Sequence, residues 1–234
     1  MKRERITKRK SNTGLSLGQL KPQTKKQESA FAAFDVGKHL LMVGPAGVGK
    51  TIIALYLALN EVIARRASRL IIVRSVLPSR DIGFMPGNLN EKAALYEAPY
   101  ADACSFLYGR DDAYQCLKSC YVEFMTTSFA RGVTLRDAIV FIDEAQNMLF
   151  HEMDTMITRT GENTRLIVCG DANQTDLVRA EEQRGFTEFC SVLRDMDSFS
   201  DVVFDINDVQ RSDLVKEYLK TRNRVLSRYV KVQT

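Results

Sequence analysis

Apolar residues in this chain fall in short β-rich runs separated by longer stretches with helical spacing, and that alternation sets the first reading. Residues 40–43, 70–74, 121–126, 139–143, 165–170 and 202–206 read as strands. Most of these runs are continuously apolar, as expected for strands covered by helices on both faces. Strands that alternate with helical patterns make βαβ units, so the expected fold class is α/β, three-layered, with a mostly parallel sheet. Residues 51–67 predict a helix that is apolar nearly all round for two turns and charged by Arg65 and Arg66. It should start buried and end in solvent. The least regular stretch, 77–118, carries Pro78, Pro86, Pro99, Gly83 and Gly87, with weak helical spacing from Asn90 to Tyr108. It reads as an insertion between the second and third strands. Residues 212–230 open on Ser212 and Asp213 as caps and repeat Leu214, Tyr218, Leu219, Val225 and Leu226 at helical spacing, which predicts a C-terminal helix.

Length and composition narrow the class. The 234 residues suit one sizeable domain with tails, and 45% hydrophobic with 26% charged residues excludes a disordered or fibrous chain. The longest apolar run, 52–59, is far short of the about 20 residues that cross a bilayer. The basic start MKRERITKRK is followed by SNTGLSLGQLKPQ where a signal peptide would place its apolar segment. The expectation is therefore a cytoplasmic protein without a membrane partner. The cysteines Cys104, Cys116, Cys120, Cys169 and Cys190 are odd in number and fit no disulfide framework, so they read as reduced thiols.

Charge placement says more than its sum. The net charge is +4, yet residues 1–27 carry +8 and residues 209–234 carry +5, leaving −9 on the body. Basic ends on an acidic body could meet a polyanion, or the first could be a solvated tail. The expected organisation is a basic flexible leader over 1–22, a core over 23–210 containing the 77–118 insertion, and a basic C-terminal helix over 211–234.

Candidate chemistry lies at the ends of the expected strands. Gly44, Pro45, Ala46, Gly47, Val48, Gly49, Lys50 and Thr51 fit G-x-x-x-x-G-K-[ST] between a strand and a helix. Glycines there let the loop wrap a phosphate with its N–H groups inward, Lys50 reaches the β and γ phosphates, and Thr51 offers its hydroxyl to Mg²⁺. The metal also needs a carboxylate across from Thr51, expected on a strand next to the P-loop strand. The run 138–144 supplies Asp143 for Mg²⁺ and Glu144 to polarise an attacking water. Gln174, in the GDANQ segment after the next apolar strand, should emerge at the same carboxyl edge, where parallel sheets bind ligands, and could sense the γ-phosphate.

GPAGVGKT, DEAQN and GDANQTDL together resemble the core of superfamily 1 helicases, and more closely the PhoH-like ATPases. RLIIVRSVLPSRDIGFMPGNLNEK, ARGVTLRDAIVFIDEAQN and DVQRSDLV resemble further family segments, so the resemblance covers about residues 23–219. Two departures stand out: the family's acidic RPAVEAGE is replaced by residues 74–81, and its RGRTL is Arg131-Gly-Val-Thr-Leu135. The resemblance implies a RecA-like P-loop NTPase using ATP and Mg²⁺ on single-stranded nucleic acid, RNA ahead of DNA. It also implies that Gln27, seventeen residues before Gly44, faces adenine. Arg211 in DVQRSDLV resembles the arginine that two-domain helicases carry on their second domain. Such an arginine can come from the same chain or from a neighbour; with no second domain expected here, an adjacent subunit could present Arg211 to the ATP, closing a ring, six-membered by analogy with related ATPases. The alternative is that Arg211 caps local carbonyls or pairs with Asp208 or Asp213.

Other conspicuous residues take plainer readings. The cysteines fit small buried hydrophobes better than a zinc site, and the sequence around His39 and His151 shows no Ser, Cys or Asp pattern of a nucleophilic triad. Tyr96, Tyr100, Phe106, Tyr108 and Tyr114 read as packing before base stacking, and Arg65, Arg66 and Arg69 as a solvated helix end. Two further functions compete with a nucleic-acid ATPase. One is a small-molecule or nucleotide kinase with 77–118 as its lid; the other is a nucleic-acid-binding protein for which ATP is an ordering ligand.

Overall fold

Six strands and seven helices follow one another along the described chain, and the six strands come in the order expected from the hydrophobic runs. The computed structural model describes residues 14–75, 89–127 and 132–232. The strands are β1 (His39–Val43), β2 (Arg69–Arg74), β3 (Val122–Thr126), β4 (Ala138–Asp143), β5 (Arg165–Gly170) and β6 (Phe199–Val203). The helices are α1 (Lys25–Asp35), α2 (Lys50–Ile63), α3 (Leu89–Tyr108), α4 (Ala113–Lys118), α5 (Phe150–Thr158), α6 (Ala180–Arg194) and α7 (Asp213–Val232). The sheet runs β3-β2-β4-β5-β1-β6, and every neighbouring pair is parallel.

Both sheet faces are covered, which explains the continuous apolar runs. Leu40, Met42, Ile72 and Phe141 point into a core shared with α1 to α4, while Leu41, Val73, Val140 and Ile142 point into one shared with α5 and α6. The three layers are therefore α1–α4, the sheet, and α5–α6. Among the described residues no helix is long and apolar enough to cross a membrane.

Several elements differ from the sequence expectation. The strand expected at 202–206 lies at Phe199–Val203, because β6 pairs from His39↔Phe199 to Val43↔Val203 and Asp205 then caps a short 3-10 turn, Ile206–Asp208. It is an edge strand with half-exposed residues, which a search for continuous apolar runs misses. The helix expected to reach Ala67 stops at Ile63, since Arg65 takes a left-handed φ of 57° and the N–H of Arg66 closes onto the Glu61 carbonyl at 2.9 Å. Arg66 then pairs with Glu61 and Arg69 with Glu123, a structural use for both arginines. Helix α1 has no counterpart in the sequence reading, because only Gln27, Ala30 and Phe34 of its eleven residues are buried. Thr24 caps its first turn by accepting from the Gln27 N–H.

The packed body also begins earlier than residue 23. Leu15 and Leu17 are buried, and the Gly18 N–H donates to the Leu107 carbonyl at 2.9 Å. Residues 1–13 of the expected leader, residues 76–88 of the insertion and Arg131 lie outside the described residues. The rest of the insertion is α3, which continues through Pro99, and α4, locked together by Glu97, which accepts from Tyr114 at 2.8 Å and from Lys118 at 2.7 Å. Tyr100 and Tyr114 are fully buried, whereas Phe106 is exposed.

Candidate nucleotide site

The loop from β1 to α2 is shaped by backbone conformations that side chains resist. Gly44, Gly47 and Gly49 have φ values of 155°, 85° and 92°. A methyl group on Gly44 would lie 2.6 Å from Cβ of Phe204, so only glycine allows this approach to the chain leaving β6. Gln27 braces the loop from α1. Its Nε2 donates to the Val48 carbonyl at 2.9 Å, and its Oε1 accepts from the Gln23 N–H at 2.7 Å. Lys50 folds back onto its own loop, donating to the carbonyls of Gly44 at 2.7 Å and Pro45 at 2.9 Å.

The acidic pair is placed differently from the sequence expectation. Strand β4 is not next to β1, because β5 lies between them. Asp143 still faces the P-loop, since α2 crosses the sheet over β5 and β4 and brings Thr51 Oγ1 within 3.4 Å of the Asp143 carboxylate. The intervening strand delivers its own loop, carrying Gln174, between the two motifs. Burial, reinforced by the Glu144 carboxylate, pushes Asp143 up to about 6. Tyr100 of α3 donates to Asp143 Oδ2 at 3.1 Å.

Glu144 sits at a left-handed φ of 51°, a conformation uncommon outside glycine and the Asx residues, which turns it off the strand axis. The buried Gln146 holds it. Its Nε2 donates to Glu144 Oε2 at 2.5 Å, and its Oε1 accepts from the Asp171 N–H at 2.9 Å. Thr175 donates to the Gln146 carbonyl at 3.0 Å, and Asn147 exchanges two hydrogen bonds with Asp176. The loops after β4 and β5 thus form one hydrogen-bonded unit.

Arg211 lies on the P-loop of its own chain. The Gln210 N–H donates to the Gly47 carbonyl at 2.8 Å, and a methyl group on Gly47 would lie 3.0 Å from Arg211 Cγ and 3.2 Å from Nε. Of the two expected sources of this arginine, the same chain or a neighbour, the return of 209–211 puts Arg211 beside the P-loop of its own chain. Asp208, one of the two suggested local partners, instead accepts from the Asp205 N–H and faces Lys26 at 3.5 Å.

These groups line one cleft of about 630 Å³. Its polar lining includes Lys50, Thr51, Asp143, Glu144, Gln174 and Arg211, and its apolar lining comes from Leu20, Pro22, Phe31, Pro99, Ala103 and Phe106. A phosphate chain suits the first set and a purine the second. The lysine resting on carbonyls that a phosphate would replace, the inward loop, and the facing hydroxyl and carboxylate fit a nucleotide with Mg²⁺ held by Thr51 and Asp143.

Comparison with known proteins then decides the family. A family model described as PhoH-like protein matches residues 19–222. The chain belongs to the PhoH-like family. It is 30% identical over 225 residues to the PhoH-like protein of Bacillus subtilis, covering 96% of this chain and 69% of that one. The PhoH-like protein of Mycobacterium leprae is 31% identical over 199 residues, or 85% of this chain and 57% of its own length. Protein PhoH of Escherichia coli is 38% identical over 150 residues, or 63% of this chain and 42% of its own. The chain thus spans about half of two of these curated relatives. Among solved structures it is similar to the large terminase of a thermophilic bacteriophage, with a TM-score of 0.52 at 14% identity, covering 86% of this chain and 50% of that one. That likeness shows the fold, an α/β sheet layered between helices.

Sequence reasoning missed two members of the site. Gln146 stands in the DEAQ segment, but its bridge to Asp171 depends on β4 and β5 being neighbours. Tyr100 gave only an aromatic at weak helical spacing. His39, by contrast, serves the sheet, where its Nδ1 accepts from the Leu166 N–H at 3.0 Å.

Proposed function

We propose that this PhoH-like chain hydrolyses ATP with Mg²⁺ and acts on single-stranded nucleic acid, RNA ahead of DNA. The observation that carries the reading is Glu144, held by Gln146 beside Asp143 in the same cleft as Lys50. A protein that uses ATP only as an ordering ligand needs no positioned carboxylate at that point. Lys50 and the loop N–H groups take the phosphates, and Thr51 with Asp143 holds the metal. Glu144 orients and deprotonates the attacking water, and Gln174 senses the γ-phosphate. Arg211 offsets charge on the transferring group from within the same chain. Mg²⁺ held by Thr51 and Asp143 would supply charge neutralisation to the phosphates.

The nucleic-acid part rests on the basic segments 1–27 and 209–234, which suit salt-sensitive phosphate contacts, and on the family. A homo-oligomeric ring remains an expectation of the family resemblance, since a local Arg211 removes the need for a shared site. Phosphate release measured without polymer and with single-stranded RNA, single-stranded DNA and duplex tests the proposal. Stimulation by single strands, RNA above DNA, is expected. Phosphate transfer to a small acceptor with no response to any polymer would favour the kinase reading.

A further inference from the structure

Asp143 is buried at the floor of the cleft, and two hydroxyl groups converge on its carboxylate. Thr51 Oγ1 lies 3.5 Å from Oδ1 and 3.4 Å from Oδ2, at the outer limit of hydrogen bonding. The Tyr100 hydroxyl, at 3.1 Å from Oδ2, makes the shorter contact. Tyr100 is itself fully buried, and its ring is fixed by Phe124 at 6.1 Å and, edge-on, by Phe141 at 6.1 Å. It stands in the middle of α3, next to Pro99, whose ring lines the same cleft. The strand end opposite Asp143 is Arg74, whose guanidinium lies 5.8 Å from the ring of Tyr96, one turn before Tyr100. The inserted helix is therefore bonded directly to the residue that would hold the metal.

A buried carboxylate can turn about its terminal torsion unless its oxygens are held, and a metal ligand is useful only in one orientation. We infer that Tyr100 is a positioning residue for the Mg²⁺ site. Its hydroxyl pins Oδ2 of Asp143 and so keeps the carboxylate facing Thr51, making α3 part of the metal site. The inference rests on the nucleotide reading above.

The test is the gain in nucleotide affinity that Mg²⁺ confers, read on the full chain with a fluorescent ADP in excess Mg²⁺ and in chelator. Tyr100→Phe removes only the hydroxyl and keeps the ring packed. Its affinity in chelator should stay within about twofold of wild type, while the Mg²⁺-dependent gain falls about tenfold, in keeping with loss of a hydrogen bond to a charged group. Phe124→Leu loosens the same ring without touching the hydroxyl. It should lower the unfolding midpoint and leave the Mg²⁺ gain intact. A Tyr100→Phe chain with the wild-type Mg²⁺ gain overturns the inference alone, whatever its midpoint. A wild-type chain that binds nucleotide no better with Mg²⁺ than without overturns the nucleotide reading and the inference with it.

Discussion

Gln27→Ala separates two roles that one amide could play. The family resemblance gives Gln27 the adenine, but the structure first gives it the P-loop, through buried hydrogen bonds to Val48 at 2.9 Å and from Gln23 at 2.7 Å. The residue is only 5% exposed, so water cannot readily replace those bonds. Each neutral hydrogen bond contributes about 1 kcal/mol, and a buried partner left unsatisfied adds about 1–3 kcal/mol. With two bonds lost and one buried partner left unsatisfied, the substitution should cost about 3–5 kcal/mol. For a chain of this size that is a fall of about 6–20 °C in unfolding midpoint. The assay is thermal unfolding, paired with affinities for ATP and GTP. A loop that has lost its brace should bind both nucleotides more weakly by similar factors. An unchanged midpoint with a loss confined to ATP would refute the reasoning and make Gln27 a reader of the base alone.

Arg211→Ala should slow ATP hydrolysis by at least ~100-fold while leaving ATP affinity within a few-fold, as loss of a charge-stabilising arginine implies. Because Arg211 lies on its own P-loop, mixing this variant with a Lys50→Ala chain should restore nothing, and recovered activity would move Arg211 to a neighbour's site. Burial, with Arg165 nearby, holds His39 below the usual histidine range, and its Nδ1 must stay unprotonated to accept from Leu166. The unfolded chain then takes up a proton near pH 6.5 that the folded chain resists, so stability should fall as pH drops from 7.5 through 6.5. The fall should be steeper in wild type than in His39→Asn by unfolding midpoint, and parallel curves would sink the argument.

What the sequence made legible was local. Gly44 to Thr51 and Asp143-Glu144 are readable because their chemistry depends on neighbours in the chain: glycines that reach positive φ, then a lysine and a hydroxyl at a helix start. The strand order was hidden, because β5 reaches its place between β1 and β4 through packing of distant segments. That placement is also what joins Gln146 to Asp171, so the acidic loop and the Gln174 loop work as a unit no single motif announces. Helix α1 escaped because its buried stripe is three residues wide, although its Gln27 braces the P-loop. Arg211 was recognised as a residue, but its place beside its own P-loop was not legible, since the return of 209–211 across Gly47 has no signature in the intervening residues.

The central claim is that Glu144 activates water in a cleft that has already bound Mg²⁺ and ATP. The direct measurement is phosphate release by wild type and Glu144→Gln, with retained radiolabelled ATP counted on the same samples. Wild type should release phosphate. The variant should hold ATP yet release phosphate at least ~100-fold more slowly, as loss of a positioned base implies. Full turnover by Glu144→Gln, or no phosphate release by wild type under any polymer condition, would contradict the account.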